Sequence, residues 1–229
     1  MILKGLQKLT LLDFPGKMAA TVFAGGCNFR CPFCHNASLV IPEKFGENLP
    51  TEEFFSFLDK RRGILEGICV SGGEPTLYPD LADFVKKIKE KGFLVKLDTN
   101  GTCPEMLESL IEKGLVDYVA MDIKSSKEGY GSAVGIDNYN TAKIEKSVEI
   151  LKKCKVDFEF RTTVVRELHS KEDFEAIGKW LAGDSKIFLQ TFIDSGDLIG
   201  SGYSAYGDGD MRGFVDILKK YMPNAALRN

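Results

Sequence analysis

No apolar run in this chain approaches the roughly 20 residues that a membrane-spanning helix requires. The first apolar stretch, Leu9 to Phe14, is broken by Asp13 and stopped by Pro15, too short and too polar for an export signal. Formal net charge is only −3, which argues against a nucleic-acid binder that relies on bulk attraction to phosphate. No repeat, low-complexity tract or Ser/Gly linker divides the 229 residues, so one domain over 1–229 is expected. Histidine occurs twice, at His35 and His169, leaving little imidazole for general acid–base chemistry. His169 precedes a helix cap at Ser170 and reads as part of a surface loop with no role. What remains, 44% apolar and 28% charged residues, is the composition of an ordinary folded enzyme. Six cysteines without an export signal predict a reducing cytoplasm, where thiolates are free to hold metal.

Three of those cysteines stand together in Cys27-Asn28-Phe29-Arg30-Cys31-Pro32-Phe33-Cys34, a C-x3-C-x2-C spacing. Thiolates this close repel one another unless a metal centre gathers them. Three ligands are one short of closing a tetrahedral zinc site or saturating a four-iron cubane, and an open position is where chemistry takes place. The rival is a zinc-binding interaction module with His35 as fourth ligand. Adjacent residues rarely reach one tetrahedral ion together, and a second C-x2-C or H-x3-H half is missing. A disulfide would leave one thiol unpaired. Cys69, Cys103 and Cys154 stand singly and read as small hydrophobes.

Strand-like and helix-like segments alternate. Strands are predicted at Met18 to Ala24, Gly67 to Val70, Phe93 to Leu97, Asp117 to Met121, Val156 to Val164 and Lys186 to Gln190. Between them, Thr51 caps a helix stopped by Gly63, and Pro79 opens a helix with Leu81, Phe84, Val85 and Ile88 on one face. Helices then start at Pro104, run from about Asn140 to Lys153, and start after the Ser170 cap. A last one passes through Phe214, Ile217, Leu218 and Tyr221. The run Lys86-Lys87-Ile88-Lys89-Glu90-Lys91 is the solvated back of a helix rather than a basic patch. This alternation predicts parallel βαβ units. Six are too few for a full eight-stranded barrel, so the expected fold is α/β, a partial (β/α)6 TIM-type barrel with its core at 18–190 and its mouth at the C-terminal strand ends.

Unusual residues follow the strands. After Val70 come Ser71-Gly72-Gly73-Glu74-Pro75, where glycines let a ligand approach the backbone and a carboxylate facing the mouth could accept from an ammonium. A bare strand-to-helix turn explains the glycines equally. Asp98-Thr99-Asn100-Gly101 is either a turn or a set of oxygens for a ribose or small cation. Asp122-Ile123-Lys124 places acid and base on one side of the chain. Arg161 sits among apolar neighbours, where an unpaired guanidinium would be costly.

In this order, the C-x3-C-x2-C loop and the GGEP turn resemble the radical S-adenosylmethionine (SAM) superfamily, and the resemblance covers nearly the whole chain through Gln190. It implies a [4Fe-4S] cluster on Cys27, Cys31 and Cys34 in a loop at 25–36, whose open iron binds SAM. It further implies Gly72, Gly73 and Glu74 at the SAM amino group, Lys124 at its carboxylate, and Phe33 against the adenine. Asp98 and Asp122 would serve the ribose or a monovalent cation. Leu12-Asp13-Phe14-Pro15-Gly16-Lys17 and His35-Asn36 are similar to the glycyl-radical-enzyme activases. The opening GLQKLTLLDFPGK is most similar to activating proteins of the anaerobic ribonucleoside-triphosphate reductase. That likeness implies Asp13, His35 and Arg161 beside the glycine loop of a partner enzyme, and flavodoxin or ferredoxin as electron donor. A radical SAM enzyme acting on a small molecule, such as a carbocycle or nucleobase-precursor synthase, is the alternative. The segment 191–229 carries no matched ligand. Its glycine-rich part through Gly209 lacks a following βαβ unit, so it reads as a mobile loop over the barrel rather than a nucleotide site.

Overall fold

The computed structural model describes residues 1–228. Eight strands form one sheet in simple chain order: β1 Leu3–Thr10, β2 Ala19–Ala24, β3 Gly67–Gly72, β4 Leu94–Thr99, β5 Tyr118–Asp122, β6 Asp157–Val164, β7 Lys186–Thr191 and β8 Ala225–Leu227. From β2 onward every pairing is parallel, and only β1 pairs antiparallel, on the outer side of β2. The helices are α1 Ala37–Val40, α2 Thr51–Asp59, α3 Leu81–Glu90, α4 Pro104–Glu112, α5 Tyr130–Val134, α6 Ala142–Lys153, α7 Lys171–Leu181 and α8 Asp208–Lys219. None among the described residues is long and apolar enough to cross a membrane.

The six expected strands are all present within a few residues, and two more flank them. The strand β1 escapes the pattern because its middle, Gln7 to Leu9, is exposed and lacks apolar alternation. The strand β8 has only three residues. Helix starts differ more. Thr51 lies inside α2 with Pro50 before it, and Pro79 stands ahead of α3. Ser170 does cap α7, in a reciprocal box with Asp173. Lys89 is not a solvated residue on the back of α3. Its ammonium lies 2.7 Å from Asp117.

Alternation along the parallel strands divides the molecule into two faces. Val95 and Leu97 of β4, Val119 and Met121 of β5, and Phe160 of β6 belong to one contiguous apolar cluster with helix residues such as Phe84, Leu107 and Phe174. The alternate positions, Lys96 and Asp98, Tyr118 and Asp122, Glu159 and Arg161, carry the polar contacts that line the inside of the curved sheet. One end of that interior is sealed. Phe14 is buried against the first residues of successive strands, Ala19, Gly67, Leu94 and Tyr118. Beside this seal, Arg228 and the Tyr118 hydroxyl both donate to the fully buried Glu159 carboxylate.

Leu12-Asp13-Phe14-Pro15 is therefore neither a bare turn nor part of a mouth, because its aromatic ring closes the N-terminal end of the barrel. Phe14→Ala should cost about 3 kcal/mol or more of stability, read as a lower denaturation midpoint. An unchanged midpoint would mean that the ring fills no enclosed space.

Candidate active site

At the opposite, C-terminal end of the strands lies a cavity of about 500 Å³. Its wall includes Cys27, Cys31, Phe33, Cys34 and His35 from the loop after β2, and Ser71, Gly72 and Gly73 after β3. Facing these are Asp98, Thr99 and Asn100 from β4, Asp122 and Lys124 from β5, and Arg161 and Thr163 from β6. Gln190, Thr191, Ile193 and Ser195 complete the rim. Eleven of the thirteen residues singled out from the sequence thus meet here, since all lie after or near the ends of parallel strands. Asp13, Glu74 and the expected mobility of the glycine-rich segment require correction, as does the placement of His169, which is buried.

The cysteine loop is fixed before and after each sulfur. Gly73 N–H donates to the Ala24 carbonyl and Glu74 N–H to the Gly26 carbonyl, both at 2.8 Å, so the GGEP turn clamps the loop's first residues. A Cβ on Gly73 would come within 1.9 Å of the Gly26 oxygen, and Gly72 sits at φ +113°. Glycine at both positions is therefore a packing requirement as well as an opening to the cavity. Arg30 folds back to donate to the Cys27 and Phe29 carbonyls at 2.6 and 2.8 Å. Phe29 sits edge-on to Tyr139, 5.2 Å between centroids.

Burial pushes the Cys27 thiol up to about 11 and the Cys31 thiol to about 12. Neither would ionise near neutrality without a bound cation. Donors already point at the Cys27 sulfur, from Phe29 N–H at 3.4 Å and the Asn100 amide at 3.8 Å, and such contacts stabilise a thiolate. The three sulfurs line one wall of the cavity, with open space beside them for a group larger than a single ion.

Across from the sulfurs runs a ladder of charge. Asp122 accepts from Lys124 and from Arg161 Nε, each at 3.0 Å. Asp98 accepts from Ser71 at 2.9 Å, from Arg161 at 3.3 Å, and from the almost fully buried Lys96. Burial pushes both carboxyls up, but Arg161 with Lys124 at Asp122, and Arg161 with Lys96 at Asp98, outweigh it and hold both below the usual range. Three cations meet two acids, so the set carries one net positive charge. That balance suits an anionic group. Lys96 was missed from the sequence, although its period-two relation to Asp98 and Asn100 is the signal that places all three on one face.

Glu74 does not face the mouth. It is fully buried, and its carboxylate accepts from Thr76 N–H at 3.0 Å, the Thr76 hydroxyl at 2.5 Å, the Thr99 hydroxyl at 2.8 Å and Asn100 N–H at 2.6 Å. Burial still pushes this carboxyl up against those four donors. Oε1 takes three of these donors and Oε2 the fourth, and the carboxylate is buried away from the cavity lining, so the expectation that it receives an ammonium is replaced by a role in tying the ends of β3 and β4. Asp13 accepts from the Thr21 hydroxyl at 2.5 Å beside the Phe14 seal and does not line the cavity. His35 and Arg161 do line it.

The segment after β7 is a strap. Gly200 N–H donates to the Pro32 carbonyl at 2.7 Å, Asp197 accepts from Ser38 N–H at 2.9 Å and pairs with Lys44, and the Ser195 hydroxyl donates to the His35 carbonyl at 3.3 Å. Further on, Ser204 and Tyr206 bond to Glu167 and the His169 carbonyl. The strap therefore ties the cysteine loop to the turn after β6. Its exposed Ile193 stands at the cavity mouth.

Residues 21–181 match the family model described as the Radical SAM superfamily. The chain is 36% identical to a Methanocaldococcus jannaschii protein provisionally named a glycyl-radical enzyme activating enzyme, over 99% of this chain and 95% of that protein. It is 32% identical to the pyruvate formate-lyase-activating enzyme of Clostridium pasteurianum, over 57% of this chain and 56% of that protein. The crystal structure of Streptococcus suis SuiB bound to S-adenosylmethionine covers 90% of this chain and 49% of its own, with a TM-score of 0.70 and 14% identity, a likeness of fold alone.

Glu74→Ala orphans four buried donors, each costing about 1–3 kcal/mol. We expect a destabilised protein, seen as a denaturation midpoint well below that of the parent. Unchanged stability with selective loss of SAM binding would return the carboxylate to the ligand.

Proposed function

This chain belongs to the radical SAM superfamily, and from that premise we propose that it installs a glycyl radical on the anaerobic ribonucleoside-triphosphate reductase. Its cofactors are a [4Fe-4S] cluster and SAM. It is an enzyme of the glycyl-radical-enzyme-activating type. The finer assignments below, including a single functional domain over 1–229 and a flavodoxin or ferredoxin donor, are part of the proposal.

The observation that carries the reading is the meeting of three cysteine sulfurs and a net positive charge ladder across one open cavity. When bound, cluster and SAM together supply a one-electron cleavage that yields methionine and a 5′-deoxyadenosyl radical able to take hydrogen from a glycine Cα. The chain's own residues bind and orient. Cys27, Cys31 and Cys34 hold the cluster. Lys124, whose partner Asp122 leaves the ladder with a spare positive charge, takes the SAM carboxylate. The Gly72-Gly73 backbone approaches the amino group, and the buried ring of Phe33 lies against the adenine. Asp98 and Asp122, fixed by Arg161, receive ribose hydroxyls. At the rim, His35 and Ile193 stand where an extended peptide loop enters. Arg161 is held by two carboxylates inside the cavity, so it sets Asp98 and Asp122 rather than gripping that peptide. Asp13, at the sealed end, acts on stability.

Two expected outcomes test this. Anaerobically reconstituted protein should hold about four irons per chain, and replacing all three cysteines with alanine should abolish them. Retained iron in that variant would remove the cluster assignment. Lys124→Ala should weaken SAM binding by roughly 1.5–3 kcal/mol, about ten- to a hundredfold. For the partner, electron paramagnetic resonance of the protein mixed with SAM, a reductant and the reductase should show a glycyl radical. A radical on pyruvate formate-lyase and none on the reductase would overturn the choice of partner.

A further inference from the structure

The imidazole of His169 has no part in the site as described, yet it is only 3% exposed, on the turn between β6 and α7. Its Nε2 lies 2.8 Å from the Lys124 carbonyl oxygen. A carbonyl only accepts, so Nε2 must carry a proton for this to be a hydrogen bond. Its Nδ1 lies 3.0 Å from Val165 N–H, which only donates, so Nδ1 presents a lone pair. The Val165 carbonyl, 3.2 Å from Nδ1, already accepts from the His169 N–H at 3.0 Å. A neutral ring protonated on Nε2 satisfies both contacts. Burial, outweighing those contacts, holds the imidazole below its usual range and keeps it neutral. Phe174 stacks on the ring at 5.9 Å, and the Tyr206 hydroxyl donates to the His169 carbonyl at 2.8 Å.

The other end of this contact explains its use. The β5–β6 ladder ends at Asp122 opposite Arg161, with Ile123 N–H donating to the Arg161 carbonyl at 2.8 Å. Lys124 is the next residue, beyond the register that fixes strand direction. A four-carbon stem turns a small backbone rotation into a large displacement at the ammonium. We propose that His169 is a positioning residue that holds the Lys124 carbonyl so that the Lys124 ammonium points at the SAM carboxylate. This rests on the reading of Lys124 given above. A rigid ring with two ring nitrogens facing opposite ways spans the two turns, whereas a water or a flexible side chain would let Lys124 swing.

The test has two parts. Long-range proton–nitrogen NMR of the cofactor-free, nitrogen-labelled protein at pH 7 should show His169 as the Nε2–H tautomer, assigned by its loss in His169→Gln. An Nδ1–H tautomer or an imidazolium would overturn the inference. SAM titrations of the cluster-loaded protein then compare His169→Asn, His169→Gln, Lys124→Ala and the double variant His169→Asn/Lys124→Ala. Asparagine is too short to reach both turns and should weaken binding about tenfold, while glutamine, which can donate and accept across the same span, restores most of it. With Lys124 replaced, His169→Asn should cost less than about twofold further. An equal cost in both backgrounds, or none in the parent, overturns the positioning role while leaving Lys124 as a SAM ligand. Unchanged affinity in Lys124→Ala would defeat that ligand assignment, and the inference with it.

Discussion

A guanidinium cannot be taken out of water alone, and Arg161, largely covered in the cavity wall, is held there by two carboxylates. Its two partners sit on different strands, Asp122 on the neighbouring β5 and Asp98 on β4 beyond it. Strands two apart in a flat sheet are separated by about 10 Å. The bridge therefore needs the sheet to curl, so that the inner faces of β4 and β6 converge. Ala120, which is in register with Asp98, contributes a methyl group where any longer side chain would fill the gap. Curvature, a small residue and the ion pairs are thus one constraint. The remaining members follow: Lys96 balances Asp98 from below, and Lys124 balances Asp122 from above.

This constraint also sets the electrostatics of the cavity. The cysteine loop brings three sulfurs, of which burial opposes the ionisation of those on Cys27 and Cys31, and the facing wall brings one net positive charge. Lowering the dielectric around both strengthens every interaction between them. A zwitterionic ligand with an anionic group and cationic groups can span such a gap in one orientation. The barrel's other end is closed by apolar and fully paired groups, Phe14 and the Glu159–Arg228 contact, so access is from the strand C-termini.

Much of this was legible in the sequence, for identifiable reasons. Strands β2 to β7 are short apolar runs between amphipathic helices, and period-two spacing showed that Asp122 and Lys124 share a side. The cysteine spacing and the residues after each strand marked the mouth before any fold was known. What could not be read was the choice of partner. The Glu74 carboxylate looked free because its four donors lie in Thr76, Thr99 and Asn100, two of them across a strand. His169 looked exposed because nothing in its neighbourhood announces a carbonyl 45 residues earlier. Asp13 looked functional because it adjoins a distinctive motif, whereas the burial belongs to Phe14 beside it. The strap looked mobile because glycine content reports conformational freedom and says nothing of tertiary hydrogen bonds.

The strap has a consequence for how the protein is made. The cysteine loop emerges early in synthesis, while Asp197, which bonds to Ser38, follows 159 residues later. Contacts of such sequence separation form late, because closing a long loop precedes any gain from them. Until then the loop that carries Cys27, Cys31 and Cys34 lacks its cover. A nascent or newly released chain would pass through a stage in which the barrel strands exist and the sulfurs remain open to a large donor. Iron and sulfide delivery then has its widest approach before the strap docks, and afterwards the sulfurs are reached through the mouth of the cavity, past Ile193 and Ser195.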